Sequence, residues 1–250
     1  MSGHSKWHNI RLRKGKQDAE RGKMFTKIAR ELTVAARESG GSPDTNPMLR
    51  LAMQKARDAS MPADSVKRAI QRGTGELEGV HYEEVTYEGY GPGGVALMVS
   101  CLTDNTNRTV ADLRSIFSRN GGNLGESGCV GWMFDAKGMV TIQKDVVDED
   151  TLMIAALDAA AEDIRIEGDT YEVVSAPNDL PNLRQALADA SIEVVSAELT
   201  MLPKSTIRLE GKEASRVLRM MEQLEDHEDV QQVHANFDIP EEVLEAAAAG

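Results

Sequence analysis

The spacing of the hydrophobic residues changes once along the chain, and this change most constrains the fold. Up to about Gly79 they recur with the period of an α-helix. Beyond it, short apolar runs typical of β-strands alternate with helical stretches. The sequence therefore predicts a mixed α/β (α+β) architecture, in which an N-terminal three-helix bundle is followed by two α/β domains.

Three amphipathic helices are predicted in the N-terminal part. The first covers about residues 21–39, and residues 1–20 before it have no apolar period and form a basic arm. The second begins at Asn46-Pro47, because Asn caps the free amides of a helix and Pro fits its first turn. The third begins at Pro62.

The later elements indicate how the domains are arranged. Predicted strands and helices within residues 137–202 follow the order β-α-β-β-α-β, which is that of ferredoxin-like folds. A further β-α-β unit follows and can complete the sheet that begins earlier. We predict four parts: residues 1–79, a helical bundle with its arm; residues 80–136 plus 203–240, a discontinuous α/β domain; residues 137–202, a ferredoxin-like domain inserted into it; and residues 241–250, a tail.

Charge is distributed unevenly between the two ends of the chain. Residues 1–75 contain 16 Lys and Arg against 7 Asp and Glu, a net charge of +9. The remaining residues contain 12 basic and 34 acidic side chains, a net charge of −22. A basic end attracts polyanions, whereas an acidic remainder repels them. We therefore predict nucleic acid as the partner of the N-terminal domain and basic proteins as possible partners of the acidic domains.

The densest group of cations lies between residues 6 and 30, where they can neutralise phosphates and release counterions. Trp7 offers a ring on which an unpaired base can stack. The alternative is a solubilising tail with Trp7 packed against the bundle. The predicted nucleic-acid contacts are Lys6, Trp7, Arg11, Arg13, Lys14, Lys16, Arg21, Lys23, Lys27 and Arg30.

Two further segments carry polar residues that suit nucleic-acid contact. Asn105, Asn107 and Arg108 form a possible second contact loop, where an Asn caps a helix and Arg108 with the helix N-terminus grips an anion. The third bundle helix carries four polar side chains suited to base edges or to a solvated surface, so sequence-specific readout stays open. These are Lys67, Arg68, Gln71 and Arg72.

The sequence contains no motif of catalysis, metal binding or cofactor binding. The glycine-rich stretches 89–94 and 121–125 lack the Lys and hydroxyl of a phosphate-binding loop. We interpret them as tight turns, with a phosphate cradle as the alternative. His4 and His8 are spaced like helical metal ligands, but Gly3 and the missing apolar period argue against a helix there. We predict no catalytic residue, no metal and no cofactor, with an enzyme as the alternative of a different class.

No run approaches the ~18 apolar residues of a membrane-spanning helix, and no apolar run follows the basic N-terminus. The only cysteines, Cys101 and Cys129, have no neighbouring partner and fit a reducing compartment. We expect a cytoplasmic protein that does not enter a membrane. The oligomeric state stays open.

Several motifs of the chain resemble the YebC family of bacterial regulators. They are MSGHSKW at 1–7, RGK at 21–23, FTK at 25–27, YEGYGPGG at 87–94, DN at 104–105, NRT at 107–109 and GGNLG at 121–125. The resemblance covers essentially the whole chain. It implies a helical N-terminal domain and two α/β domains around a cleft.

The same resemblance implies work on nucleic acid. Family members are usually described as DNA-binding transcriptional regulators, whereas close relatives, including a mitochondrial translational activator of a cytochrome oxidase subunit, act with the ribosome. We therefore expect a DNA-binding transcriptional regulator that uses its basic N-terminal domain. The alternative is a translation factor, associated with the ribosome, that binds ribosomal RNA through the same end.

Overall fold

The computed structural model describes Trp7, residues 17–240 and residues 242–244, with the backbone alone for residues 17–20. Its N-terminal part consists of α1 (Gln17–Ser39), α2 (Pro47–Asp58) and α3 (Ala63–Thr74). Their apolar faces share one core, in which Leu32 and Leu49 have no solvent exposure. The helix predicted from residue 21 begins at Gln17, within the segment interpreted as an arm.

Asn46 caps the N-terminus of α2, as predicted from its position before Pro47. Its Oδ1 accepts a hydrogen bond from the backbone N–H of Leu49 at 2.9 Å. Its Nδ2 donates to the carbonyl oxygens of Ala35 and Gly40, both at 2.8 Å. One side chain therefore caps α2 and ties it to the end of α1.

Helices α1 and α3 lie close together at Gly73. A methyl group at this position would collide with the carbonyl oxygen of Thr33 and lie 2.7 Å from Cβ of Ala36. Thr33 also donates from Oγ1 to the carbonyl oxygen of Ala69 at 3.1 Å. The close crossing of these helices therefore depends on the missing side chain at Gly73.

Strands and helices alternate beyond the bundle. In chain order they are β1 (Glu83–Tyr90), β2 (Ala96–Thr103), α4 (Thr106–Arg119), β3 (Asn123–Leu124), β4 (Phe134–Gln143), α5 (Glu149–Leu157), β5 (Ala161–Glu167), β6 (Thr170–Ser175), α6 (Leu180–Asp189), β7 (Ser196–Pro203), β8 (Ile207–Arg208), α7 (Gly211–Glu225), β9 (Val230–Ala235) and β10 (Phe237–Asp238).

The first sheet is antiparallel, with strand order β3-β1-β2-β9. Helices α4 and α7 pack against it, and their apolar residues, such as Phe117 and Met220, are fully buried. Strand β9 comes from the last part of the chain and pairs with β2 from the middle. This sheet is therefore complete only when the chain re-enters it at β9, after the intervening residues.

The intervening residues form a second antiparallel sheet with strand order β5-β6-β4-β7. Helices α5 and α6 share a core with this sheet, in which Ile142, Leu152 and Leu183 are fully buried. The element order β-α-β-β-α-β, with this strand order, is the ferredoxin-like arrangement.

The chain divides into two compact units. One contains the residues up to Met133 and those from Ser205 onward, and the other is Phe134–Lys204. The mixed helix-and-sheet fold predicted from the sequence is confirmed. The separation of residues 1–79 as a domain of their own stays a prediction. Every helix among the described residues is too short or too polar to cross a membrane.

Candidate nucleic-acid interface

Two of the predicted contacts lie on α1 against the acidic C-terminal end of α7. Lys27 Nζ donates a hydrogen bond to the carbonyl oxygen of Glu225 at 2.7 Å. Lys23 Nζ lies 3.6 Å from Oδ1 of Asp226, and both side chains are about half exposed. These ammonium groups therefore contact acceptors of the chain itself.

Arg30, also on α1, is packed into the turn between α7 and β9. Its Nη1 donates to Oδ1 of Asp229 at 2.8 Å and to the carbonyl oxygen of Glu228 at 2.8 Å. The same nitrogen reaches the carbonyl oxygen of Leu102 at 3.1 Å. Since the Arg30 side chain is only 11% exposed, its guanidinium group is not open to a phosphate in this arrangement.

Arg108, at the start of α4, contacts the same aspartate from the other side. Its Nη2 lies 2.9 Å from Oδ2 of Asp229 and 2.7 Å from Oδ1 of Asp104. The anion that Arg108 grips is therefore a carboxylate of the chain, where the sequence suggested an external anion. Thr109 Oγ1 adds a hydrogen bond to Asp229 Oδ2 at 2.7 Å.

Asp229 is the acceptor that joins these groups, and it is 2% exposed. Burial alone raises the pKa of a carboxyl group. Hydrogen bonds from Arg108, Thr109 and Arg30 outweigh that effect and lower the pKa of Asp229 to about 2. The carboxylate is therefore ionised at neutral pH. Its contact with Arg30 joins the bundle to the part of the chain that carries the first sheet, and Arg108 of α4 contacts it within that part.

The other two residues of the second contact loop, Asn105 and Asn107, differ in their structural roles. Asn105 Oδ1 accepts from the backbone N–H of Arg108 at 3.0 Å, which confirms its predicted capping role. Asn107 lies in the first turn of α4 and is exposed. Of the three loop residues, the structure therefore leaves only Asn107 on the surface without a described structural role.

Trp7 requires a correction. Its side chain is 4% exposed and belongs to the core cluster that contains α4, α7 and the first sheet. A ring in that position has no free face for a base, so the structure favours the alternative in which Trp7 is packed inside. It belongs, however, to the core cluster of the first sheet and not to that of the helical bundle.

Some of the remaining cations of the N-terminal end are exposed, and others lie outside the described residues. Arg21 is exposed, and its guanidinium carbon lies 5.6 Å from the ring centre of Phe25. Lys67, Arg68 and Arg72 are exposed on α3. The other predicted contacts lie outside the described residues: Lys6, Arg11, Arg13, Lys14 and Lys16.

The third bundle helix carries an amide that could read a base edge, but this amide has a partner within the chain. Gln71 Nε2 donates to Oε2 of Glu76 at 3.2 Å. Glu76 also accepts from Thr74 Oγ1 at 3.1 Å. The exposed cations of α3, Lys67, Arg68 and Arg72, can contact phosphates, and an arginine can also bind the edge of a guanine, so sequence-specific readout by α3 stays open.

The second glycine-rich stretch continues into a loop that is organised by one carboxylate. Glu88 accepts hydrogen bonds from the backbone amides of Gly128 at 2.8 Å and of Val130 and Gly131 at 2.7 Å. Burial raises the pKa of Glu88, but these three hydrogen bonds outweigh it and lower the pKa. Because the amides already hold a carboxylate, they are not available to cradle a phosphate.

The two cysteines differ in their burial. Cys101 is fully buried in β2, and burial raises the pKa of its thiol to about 12. Cys129 is partly exposed, and burial followed by the charge of Glu88 raises its pKa. Within the described ranges, no group of three or more His, Cys, Asp or Glu could hold a metal ion.

Local sequence patterns did not reveal Asp229. It follows a run of acidic residues at the end of α7, which alone indicates a solvated surface. Its partners Arg30 and Arg108 are 199 and 121 residues away in the chain. Only the three-dimensional arrangement shows that this aspartate pairs with two of the predicted contacts.

Comparisons with known proteins cover almost the whole chain. Residues 5–76 match the model of the TACO1/YebC protein N-terminal domain, and residues 82–237 match that of the TACO1/YebC second and third domain. A probable transcriptional regulatory protein of Dictyoglomus turgidum is 52% identical, over 98% of this chain and 99% of its own. One of Desulforapulum autotrophicum is 55% identical, over 98% and 100%.

A solved structure agrees with the fold. The crystal structure of a conserved hypothetical protein from Aquifex aeolicus superposes with a TM-score of 0.83 at 42% sequence identity. The superposition covers 89% of this chain and 92% of the other.

Proposed function

Because the chain belongs to the TACO1/YebC family, we propose that it is a cytoplasmic, non-enzymatic regulatory protein that binds DNA through its basic N-terminal end. Its relatives are described as probable transcriptional regulatory proteins. The observation that carries the proposal is the net charge of +9 on residues 1–75 of a chain whose remainder has a net charge of −22. Such a segment gains affinity for phosphates by releasing counterions.

Contacts of α1 with Glu225 and Asp229 reduce the number of cations that are open to DNA. Lys27 and Arg30 are held by the chain itself, so binding relies on cations elsewhere in the N-terminal end. These are the arm cations Lys6, Arg11, Arg13, Lys14 and Lys16, together with Arg21, Lys23 and the exposed cations of α3.

Binding of a labelled DNA duplex tests the proposal, with and without an excess of random-sequence DNA at near-physiological salt. A transcriptional regulator retains its target under competition, because base contacts add to the phosphate contacts. If every duplex is displaced equally, sequence-specific regulation of transcription is contradicted.

The second candidate is a translation factor that binds ribosomal RNA through the same basic end. The observation that favours it is the composition of the α3 surface, where Lys67, Arg68 and Arg72 are exposed and the amide of Gln71 is hydrogen-bonded to Glu76. Such a group of cations can bind the phosphates of a folded RNA as well as those of a duplex, because phosphate contacts carry no sequence information.

Sedimentation of a cell extract through a sucrose gradient distinguishes the two candidates. A ribosome-associated factor travels with ribosomal particles in gentle salt and leaves them as salt is raised. A protein found only in the light fractions in gentle salt contradicts the second candidate.

A further inference from the structure

Helix α5 of the second unit is apolar on both of its faces. Residues 152–157, LMIAAL, contain no polar side chain. Leu152 and Ala156 are one turn apart and fully buried in the core of the unit. A helix that covers a core on one face normally carries polar residues on the other. The apolar residues of the second face therefore need a separate explanation.

This second face consists of Met153, Ile154 and Leu157, which are 41%, 69% and 63% exposed. Their spacing of three and four residues places them side by side on the helix. A single exposed apolar side chain is ordinary, but a contiguous group marks an interaction surface. None of the three belongs to the core cluster of the unit. The fold therefore buries its core without them.

Acidic side chains border the apolar group. Asp150 lies one turn before Ile154 on the same face, and Asp158 follows Leu157 at the end of the helix. Acidic residues at the start of a helix stabilise it, but one at the C-terminal end opposes the helix dipole. Helix stability therefore does not explain Asp158.

The charge of the whole unit determines which partner fits this face. Phe134–Lys204 contain 15 Asp and Glu against 5 Lys and Arg, a net charge of −10. A second copy of the chain would present the same acidic border, and an anionic lipid surface would be repelled. A cationic partner with large apolar side chains matches both the border and its centre.

We propose that the exposed face of α5 binds a basic amphipathic segment of another protein. Met153, Ile154 and Leu157 contact the apolar side chains of that segment, and Asp150 and Asp158 contact its Lys or Arg residues. The surface is small, so the interaction is weak and transient when this face acts alone. It goes beyond the proposed function, because it does not depend on nucleic acid.

The test uses the full chain and a fluorescent helical peptide built from leucine and lysine, with binding measured by fluorescence anisotropy. Replacing both Ile154→Ser and Leu157→Ser is expected to weaken binding about tenfold, because the apolar centre of a contact carries most of its energy. The matched control replaces two other exposed apolar residues of the same unit, Val146→Ser and Val195→Ser, which are 45% and 43% exposed. It is expected to leave binding unchanged.

A second variant tests the acidic border. Asp150→Asn with Asp158→Asn is expected to weaken binding and to reduce its dependence on salt, while circular dichroism shows an unchanged fold. Equal binding by all variants would overturn the proposal, because the peptide would then be held by diffuse charge alone. Binding to anionic vesicles, or a dimer that Ile154→Ser with Leu157→Ser dissociates, would overturn it in favour of a membrane or a second copy.

Discussion

At Asp229, one buried carboxylate receives two guanidinium groups from distant parts of the chain. Replacing it by Asn keeps the shape but removes the nearest counter-charge of the largely buried Arg30, which then has only the exposed carboxylate of Glu228 at 4.0 Å. Breaking a buried ion pair in this way costs about 3–5 kcal/mol, and the half-exposed Arg108 places the effect near the lower end. Urea unfolding of Asp229→Asn measures it.

The control for this variant is Asp104→Asn, which removes the exposed partner of the same Arg108. An exposed ion pair contributes less than about 1 kcal/mol, so this change is expected to have little effect on the free energy of unfolding. Equal losses in the two variants would show that the burial of Asp229 adds nothing to its pairing.

The lowered pKa of Asp229 predicts how stability depends on pH. The folded-state pKa is about 2, whereas an aspartate in an unfolded chain titrates near about 3.9. Its stabilisation is therefore present above the unfolded pKa and is lost as the pH falls through the folded pKa. The stability difference between the wild type and Asp229→Asn should narrow between about pH 5 and pH 2 in urea unfolding. A constant difference across that range would contradict the assigned pKa.

Which residue roles are predictable from sequence depends on how local their partners are. Asn46 and Asn105 cap helices through amides three residues away, so their positions before a helix were sufficient to predict them. Trp7 and Arg30 find their partners far along the chain. Their burial could not be deduced from a basic segment that is typical of a solvated surface.

At the scale of elements, two glycines in the bundle helices predict opposite outcomes for the same substitution. Gly73→Ala forces a methyl group against the backbone of α1, and we expect a loss of about 1–3 kcal/mol. Gly22, in the first half of α1, has nothing within 4 Å of the position of an added Cβ. Gly22→Ala should therefore stabilise the chain by about 0.5–1 kcal/mol.

Thermal unfolding followed by circular dichroism measures both changes on the same scale. A stabilising effect of Gly73→Ala would contradict the close crossing of α1 and α3. A destabilising effect of Gly22→Ala would indicate that this part of α1 is not helical.

The types of the elements could be predicted more reliably than their ends. Helical periods and apolar runs identify α1 and β2, because one face or both faces are buried. The start of α1 at Gln17 could not be predicted, since residues 17–20 contribute no apolar period. The exposed face of α5 is likewise visible only when the buried face of the helix is known.

For the whole molecule, sequence motifs predicted the family and the mixed fold, and both are confirmed. The charge asymmetry also follows from the sequence. Which of the cations are open to a partner does not. The acidic turn that contains Asp229 holds Arg30 and lies against Lys23 and Lys27. A count of cations therefore overestimates the surface that is left for nucleic acid.

The basic N-terminal end is the proposed nucleic-acid-binding segment. The salt dependence of its affinity for DNA tests this proposal most directly. The test variant combines Lys6→Ala, Arg11→Ala, Arg13→Ala and Lys14→Ala. The control variant removes four cations of the second unit and combines Lys137→Ala, Lys144→Ala, Arg165→Ala and Lys204→Ala. For the test variant, the slope of log affinity against log salt on duplex DNA should flatten by about one unit for each lost phosphate contact. The control should keep the wild-type slope. Unchanged affinity and slope in the test variant would contradict the proposal that the basic N-terminal end binds nucleic acid.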